Sequence, residues 1–291
     1  MSVAESEPEV VWDIGCELGE GPCWHDGALW FVDIKGHRIH RWTEAERRSW
    51  ETPDQTGFVL PMAAGGFVAG VRSGLHRFDP QTGAFTRLHA PEPGRPQNRL
   101  NDACVDASGR LWFGSMDDSE HGDTGALYRW DGGAEPPVRM DDGYGIANGP
   151  TVSPNGRTLY HTDTRRRTIY AFDLGPDGAL SNKRVFVRNT AEEGSPDGCV
   201  ADSEGCVWSA MFGGWGVRRY SPEGELLELI RFPCANITKV AFGGEDLRTV
   251  YATTARLHLS AEQRAAQPLA GHLFRFRGRV PGQPQRRVGG G

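Results

Sequence analysis

No run in this chain approaches the roughly 18 consecutive apolar residues that a membrane-crossing helix needs. The start, Met1 to Glu9, is acidic and rich in small residues, without the basic onset and apolar stretch of a secretory leader. Six cysteines (Cys16, Cys23, Cys104, Cys199, Cys206 and Cys234) form no C-x-x-C pair, so they predict neither a thiolate zinc site nor a redox pair. Reduced thiols and a cytoplasmic protein are the expectation. A Gly-x-Ser-x-Gly elbow is also missing, which leaves a serine-esterase mechanism without support. Positive charge is in deficit: 32 Lys and Arg against 38 Asp and Glu give a net charge of −6. That balance speaks against a nucleic-acid partner. The one basic cluster, Arg165-Arg166-Arg167, falls where a hairpin turn is expected and reads as a solvated turn.

What the chain has in quantity is glycine, 39 residues, and a repeat. A short apolar run with an aromatic or β-branched centre recurs at Trp30, Val68, Trp112, Tyr160, Trp208 and Tyr251. Each is followed by a segment alternating apolar and polar residues, such as Ile39-His40-Arg41-Trp42 and Leu127-Tyr128-Arg129-Trp130. Period-two alternation between Gly-rich turns is the strand signal. Six units of roughly 40 to 50 residues, with about four strands each, predict an all-β fold, a six-bladed β-propeller. An open blade edge invites aggregation, so the ring must close. The strand-like Glu9 to Ile14 is expected to complete the last blade. WD-repeat dipeptides occur out of phase, at Gly36-His37, Gly271-His272 and Trp12-Asp13, which disfavours a protein-interaction propeller of that type.

The repeat runs nearly end to end, so residues 1–291 read as one domain with an ordered core of about 9–277 and flexible tails. Two segments interrupt it. Asp117 to Thr124 is polar and acidic. Leu257 to Ala270 carries Ser260 as a candidate N-cap for a short helical turn. Insertions of this kind usually lie over a binding mouth.

Four residues share nearly one phase of the repeat: Glu20, Asn101, Asn148 and Asp197 lie 10 to 12 residues ahead of Trp30, Trp112, Tyr160 and Trp208. Equal phase around an axis means equal depth, so four oxygen-bearing side chains converge on one point. Two carboxylates and one or two amide oxygens suit a single divalent cation that prefers oxygen. Taken singly, Asn148-Gly149 and Asp197-Gly198 are also strong hairpin dipeptides. Arg99 shares a strand face with Asn101 and can present its planar fork to a polyhydroxy or anionic ligand, or form a surface salt bridge. Glu120 can reach over the mouth or remain a solvated charge.

These segments resemble the senescence-marker-protein/gluconolactonase family, which includes regucalcin. The resemblance rests on Gly19-Glu20-Gly21-Pro22 followed by Trp30 to Ile34; on Asn98-Arg99-Leu100-Asn101-Asp102; and on Asn148-Gly149 and Pro196-Asp197-Gly198. It covers roughly residues 10 to 277. Further segments, Tyr160 to Thr164, Leu180 to Phe186 and Thr253 to Arg256, look like the bacterial pentonolactonases, xylonolactonase in particular. The resemblance implies a propeller with one divalent ion on its axis (Fe, Mn, Zn, Ca or Mg), held by Glu20, Asn148 and Asp197 with Asn101 close by. It implies that Arg99 and Asn101 contact sugar hydroxyls; the chain departs from the family in the loop carrying the third-blade acid, a role for which Asp117, Asp118 and Glu120 all compete.

The implied reaction is hydrolysis of an aldonolactone, D-xylonolactone or a related pentonolactone, with Asp197 as general base. The alternatives are a gluconolactonase, another esterase or phosphotriesterase on the same fold, and a non-catalytic calcium- or sugar-binding propeller. A small sugar lactone is the expected partner, with neither nucleic acid nor membrane, and a monomer or weak oligomer the expected state.

Overall fold

A computed structural model of the chain describes residues 3–290. Six four-stranded antiparallel sheets form the blades. Their inner strands are Gly19–His25, Thr56–Pro61, Asn98–Val105, Ala147–Val152, Ser195–Ala201 and Ile237–Gly243, blades 1 to 6 in order. The second strands carry the repeat landmarks, and the alternating segments are the third strands, from Arg38–Trp42 in blade 1 to Leu273–Arg277 in blade 6. As expected, the chain start closes the ring. Glu9–Trp12 pairs antiparallel with Leu273–Arg277, matching Val10 to Phe274, and becomes the outer strand of blade 6.

Large apolar side chains fill the spaces between neighbouring blades. Between blades 5 and 6, Trp208 meets Phe242 edge-on and Phe276 in a stack. Trp208 and Trp112 are fully buried, and burial of a large apolar side chain stabilises by roughly 1.5–3 kcal/mol. Their indoles also set the adjoining turns. Trp112 Nε1 donates to Asp106 Oδ2 at 2.8 Å, and Trp208 Nε1 to Asp202 Oδ2 at 2.9 Å. The same aspartates accept backbone N–H groups of their own turns.

One irregularity repeats in all six inner strands. The ladder to the second strand slips at Glu20/Cys23, Thr56/Val59, Leu100/Ala103, Asn148/Thr151, Pro196/Cys199 and Ile237/Lys239. A β-bulge of this kind re-aims side chains. Pro22 and Pro150 sit inside two of these bulges, where a missing N–H removes no ladder bond. Gly149 takes a φ of 49° there, a conformation that a Cβ disfavours.

Both insertions lie on the face where the inner strands begin. Ser260 caps a helix over Ala261–Ala266 in a capping box with Gln263. The loop after Asp117 is tied down by the basic cluster: Arg165 Nη1 donates to His121 O at 2.6 Å and Arg166 Nη2 to Asp123 at 2.8 Å. The arginine run is therefore a clamp as well as a turn. In the described residues, the two segments read as tails make contacts with the blades. Val3 is buried and Glu5 N donates to Arg277 O. The C-terminal segment runs as a strap across the opposite face. Gln283 Nε2 donates to Val152 O and Ala201 O, Val288 N to Pro61 O, and Gly289 N to Gly109 O, with Val288 buried. Glycine- and proline-rich composition cannot reveal these bonds, because they go to backbone atoms of distant blades.

Candidate metal centre

The repeat phase has a structural meaning. The landmarks Trp30, Val68, Trp112, Tyr160, Trp208 and Tyr251 pair with Cys23, Leu60, Cys104, Thr151, Val200 and Ala241 on the inner strands. Three residues before those partners stand Glu20, Gly57, Asn101, Asn148, Asp197 and Thr238. Every blade thus presents one equivalent position at its bulge. Two offer no ligand to the ring. A Cβ on Gly57 would lie 2.1 Å from Asn101 O, and Thr238 Oγ1 is spent on Gly19 O at 2.6 Å. The other four are the candidates read from the sequence. None is more than 5% exposed, and all line one cavity at the mouth. Asn148-Gly149 and Asp197-Gly198 are inner-strand residues, not hairpin turns.

A directed chain of hydrogen bonds orients the amides. Arg99 Nη1 donates to Asn101 Oδ1 at 2.5 Å, and Asn101 Nδ2 donates to Asn148 Oδ1 at 2.6 Å and to Ala147 O at 2.9 Å. Asn148 Nδ2 donates to Thr164 Oγ1 at 2.9 Å. The carboxylates are less satisfied. Glu20 Oε2 accepts the adjacent Gly21 N–H at 2.7 Å, while Asp197 Oδ1 is buried without a hydrogen-bond partner. Burial pushes Glu20 up to about 8, with Asp102's charge adding to the effect. Burial likewise raises Asp197 well above the usual carboxylate range, reinforced by the charges of Glu20 and Asp102. An orphaned carboxylate oxygen beside a second carboxylate and an amide oxygen fits an oxygen-preferring divalent cation, which would relieve that repulsion.

Arg99, Asn101 and Glu120 also line the cavity. The three loop acids separate by geometry. Asp117 shapes its own loop, accepting Ser119 Oγ at 2.7 Å and Gly122 N at 2.8 Å. Asp118 is not in the cavity wall. It gathers four donors from three blades: Lys35 Nζ at 2.7 Å, Gln55 Nε2 at 2.8 Å, Arg72 Nη1 at 3.2 Å and Arg99 Nε at 3.0 Å. Burial alone would raise its pKa, but the bonds from Lys35 and Gln55 and the Arg99 charge outweigh this and hold it at about 2. Glu120 is the acid that faces the cavity, held at a φ of 62°, with His258 Nε2 3.4 Å from its Oε2.

One feature beside the candidate site escaped the sequence reading: Asp102 and Lys239, one residue below the ring in blades 3 and 6, form a buried pair at 2.5 Å. A further acidic group, Asp202, Glu204 and Cys206, is met by the chain itself, since Arg219 reaches both Asp202 and Glu204.

Residues 18–256 match the family described as the SMP-30/Gluconolactonase/LRE-like region. A 6-deoxy-6-sulfogluconolactonase of Pseudomonas putida is 37% identical over 272 residues, covering 91% of this chain and 92% of that protein. An L-arabinolactonase of Azospirillum brasilense is 34% identical, covering 94% and 92%. The crystal structure of a calcium-binding protein, regucalcin, from Agrobacterium tumefaciens superposes with a TM-score of 0.92 at 27% identity, over 97% of each chain. By the family match and by these identities over nearly its whole length, the chain belongs to the SMP-30/gluconolactonase/LRE-like family.

Proposed function

We propose that the protein is a divalent-metal-dependent lactonase that opens an aldonolactone to its aldonic acid, with a neutral pentonolactone such as D-xylonolactone as preferred substrate. The chain is a hydrolase of carboxylic esters, the class to which its lactonase relatives belong. The observation that carries the proposal is Asp197, whose buried Oδ1 has no partner in a cavity shared with Glu20, Asn148 and Arg99.

Glu20, Asn148 and Asp197 would hold the cation. When bound, it supplies Lewis-acid polarisation of the lactone carbonyl or acidifies a water. Asp197, the raised carboxylate, takes the proton of the attacking water as the new C–O bond forms. It returns that proton to the ring oxygen as the ester C–O bond breaks. Arg99 and Asn101 hold the sugar hydroxyls from one side. Glu120 accepts hydroxyl hydrogens from above the cavity. Among the described lining residues, the basic side chains are Arg99, already paired with Asp118, and His258, which faces Glu120. No uncommitted cation is left for a sulfonate or other anionic substituent, which favours a neutral sugar.

The test is acid release in a pH-stat from xylono-, arabinono-, galactono-, glucono- and 6-sulfogluconolactone by metal-stripped protein, with each ion added back singly. Rates are corrected for spontaneous and metal-only hydrolysis. Metal-dependent release fastest on a pentonolactone is the expected result. Tight metal binding without release from any lactone would replace this reading with a binding propeller.

Asp118 acts through Arg99 in this scheme. Asp118→Asn weakens a charge-assisted bond to the guanidinium, so KM is expected to rise about tenfold, with kcat and metal affinity little changed. Steady-state kinetics and metal titration of the variant check this split.

A further inference from the structure

The tier beneath the four candidate ligands is occupied by the residues that follow the six ring positions: Gly21, Phe58, Asp102, Gly149, Gly198 and Lys239. Three are glycines, one is apolar, and the remaining two are opposite charges on opposite blades. Lys239 Nζ donates to Asp102 Oδ1 at 2.5 Å and to Ala103 O at 3.0 Å. The side chains are 8% and 2% exposed. Asp102 Oδ1 also accepts Ala103 N at 2.7 Å, and Oδ2 accepts Gly149 N, the residue after Asn148, at 2.8 Å. The lysine stem passes directly over Gly198, the residue after Asp197. A Cβ there would stand 2.5 Å from Lys239 Cγ.

A buried ion pair is poor evidence of stabilisation, because desolvation of both charges offsets their attraction and an apolar pair often packs as well. Its placement under the ligands is what calls for explanation. Glu20, Asp197 and Asp102 bring three negative charges into the channel, and Arg99 is matched by Asp118. Within the ring and the tier beneath it, Lys239 leaves a net charge of −2; Glu120, whose charge also bears on Asp197, stands above both beside His258.

We propose that Lys239 is a built-in counter-cation that, through its pair with Asp102 across the channel, sets the charge of the candidate metal centre to match one divalent ion. The pair is a positioning element, since it touches neither substrate nor ion. This rests on the reading that Glu20, Asn148 and Asp197 bind the ion.

The test is calorimetric titration of metal-stripped full-length protein with Mn(II) alone. Asp102→Asn leaves the ammonium unopposed and is expected to weaken binding by about tenfold or more, the order given by unit charges several ångströms apart in a partly screened interior. Lys239→Met keeps the stem and removes the charge, and is expected to shift the affinity in the opposite direction. The double variant restores the charge and is expected to bind within about threefold of wild type. Weakening by both single changes with no recovery in the double would reduce the pair to a strut and overturn the proposal. Should Lys239→Met fail to fold, Asp102→Asn against the double variant decides the same point. Absence of Mn(II) binding by the wild type is a different result, and it removes the underlying metal reading instead.

Discussion

Asp197→Ala is expected to lower kcat/KM on the preferred lactone by at least about a thousandfold, the scale of a lost general base, because the same change also removes a candidate metal ligand. The protein itself should keep its fold. Asp197 is a buried carboxylate whose Oδ1 has no partner and whose ionisation is opposed first by burial and then by Glu20 and Asp102. Removing it relieves repulsion in the metal-free state. The metal-stripped variant is therefore expected to melt no lower than metal-stripped wild type above pH 8. Initial rates and melting curves on one preparation separate a lost catalytic group from a lost structure. Normal turnover in Asp197→Ala would refute the mechanism.

The second large effect concerns pH in the metal-free protein. Glu20 has a folded-state pKa near 8 against an ordinary 4.5, and Asp197 shifts in the same direction. A raised carboxyl stabilises the fold while protonated, fully so below its ordinary range, and that contribution is lost as pH climbs through the folded value. The Tm of stripped protein is thus expected to fall as pH rises from about 6.5 through 8, the upper part of the interval between the ordinary and the folded value. The buried histidines His40 and His161, held down to about 4 and about 3 by burial, act in the opposite sense and at lower pH, outside this window. A bound divalent ion holds both carboxylates ionised, so saturating metal should flatten the slope. Binding near pH 7 should also expel protons, at least about one per ion, read as a dependence of the calorimetric heat on buffer ionisation enthalpy. Glu20→Gln is expected to flatten the slope without any metal. A steep fall that persists in Glu20→Gln would assign it to other groups.

The second and third strands of each blade were legible because they are buried and alternate, as Leu111-Trp112-Phe113 and Leu127-Tyr128-Arg129-Trp130 show. Outer strands such as Arg47–Glu51 face solvent with little apolar pattern, so their sequences say almost nothing. Inner strands are harder still. Glu20-Gly21-Pro22 and Asn148-Gly149-Pro150 look like turns by local chemistry, and only the recurring bulge makes them strands. Counting from the landmarks overcame this for four ring positions. The same count extended by one residue would have found Asp102 and Lys239 in blades 3 and 6, opposite one another in a six-fold ring. The signal was a lysine in the otherwise uncharged stretch Ile237–Gly243. Asp118 and Glu120 could not be told apart from sequence. Their roles depend on a loop whose course is set by Arg165 and Arg166 from the next blade.

The seam that joins Val10 to Phe274 also sets a timetable for biosynthesis. Glu9–Trp12 precedes every other described strand in synthesis and is the last of them to find its partner, because the strands of all six blades must be made before Leu273–Arg277 exists. Through that interval Glu9–Trp12 is an unpaired strand and blade 6 is incomplete. Pairings so distant in sequence form slowly, and open edges are the surfaces on which nascent chains associate wrongly. Ring completion therefore waits for Leu273–Arg277. A message truncated before codon 273 yields a chain with two sticky margins, not a smaller propeller.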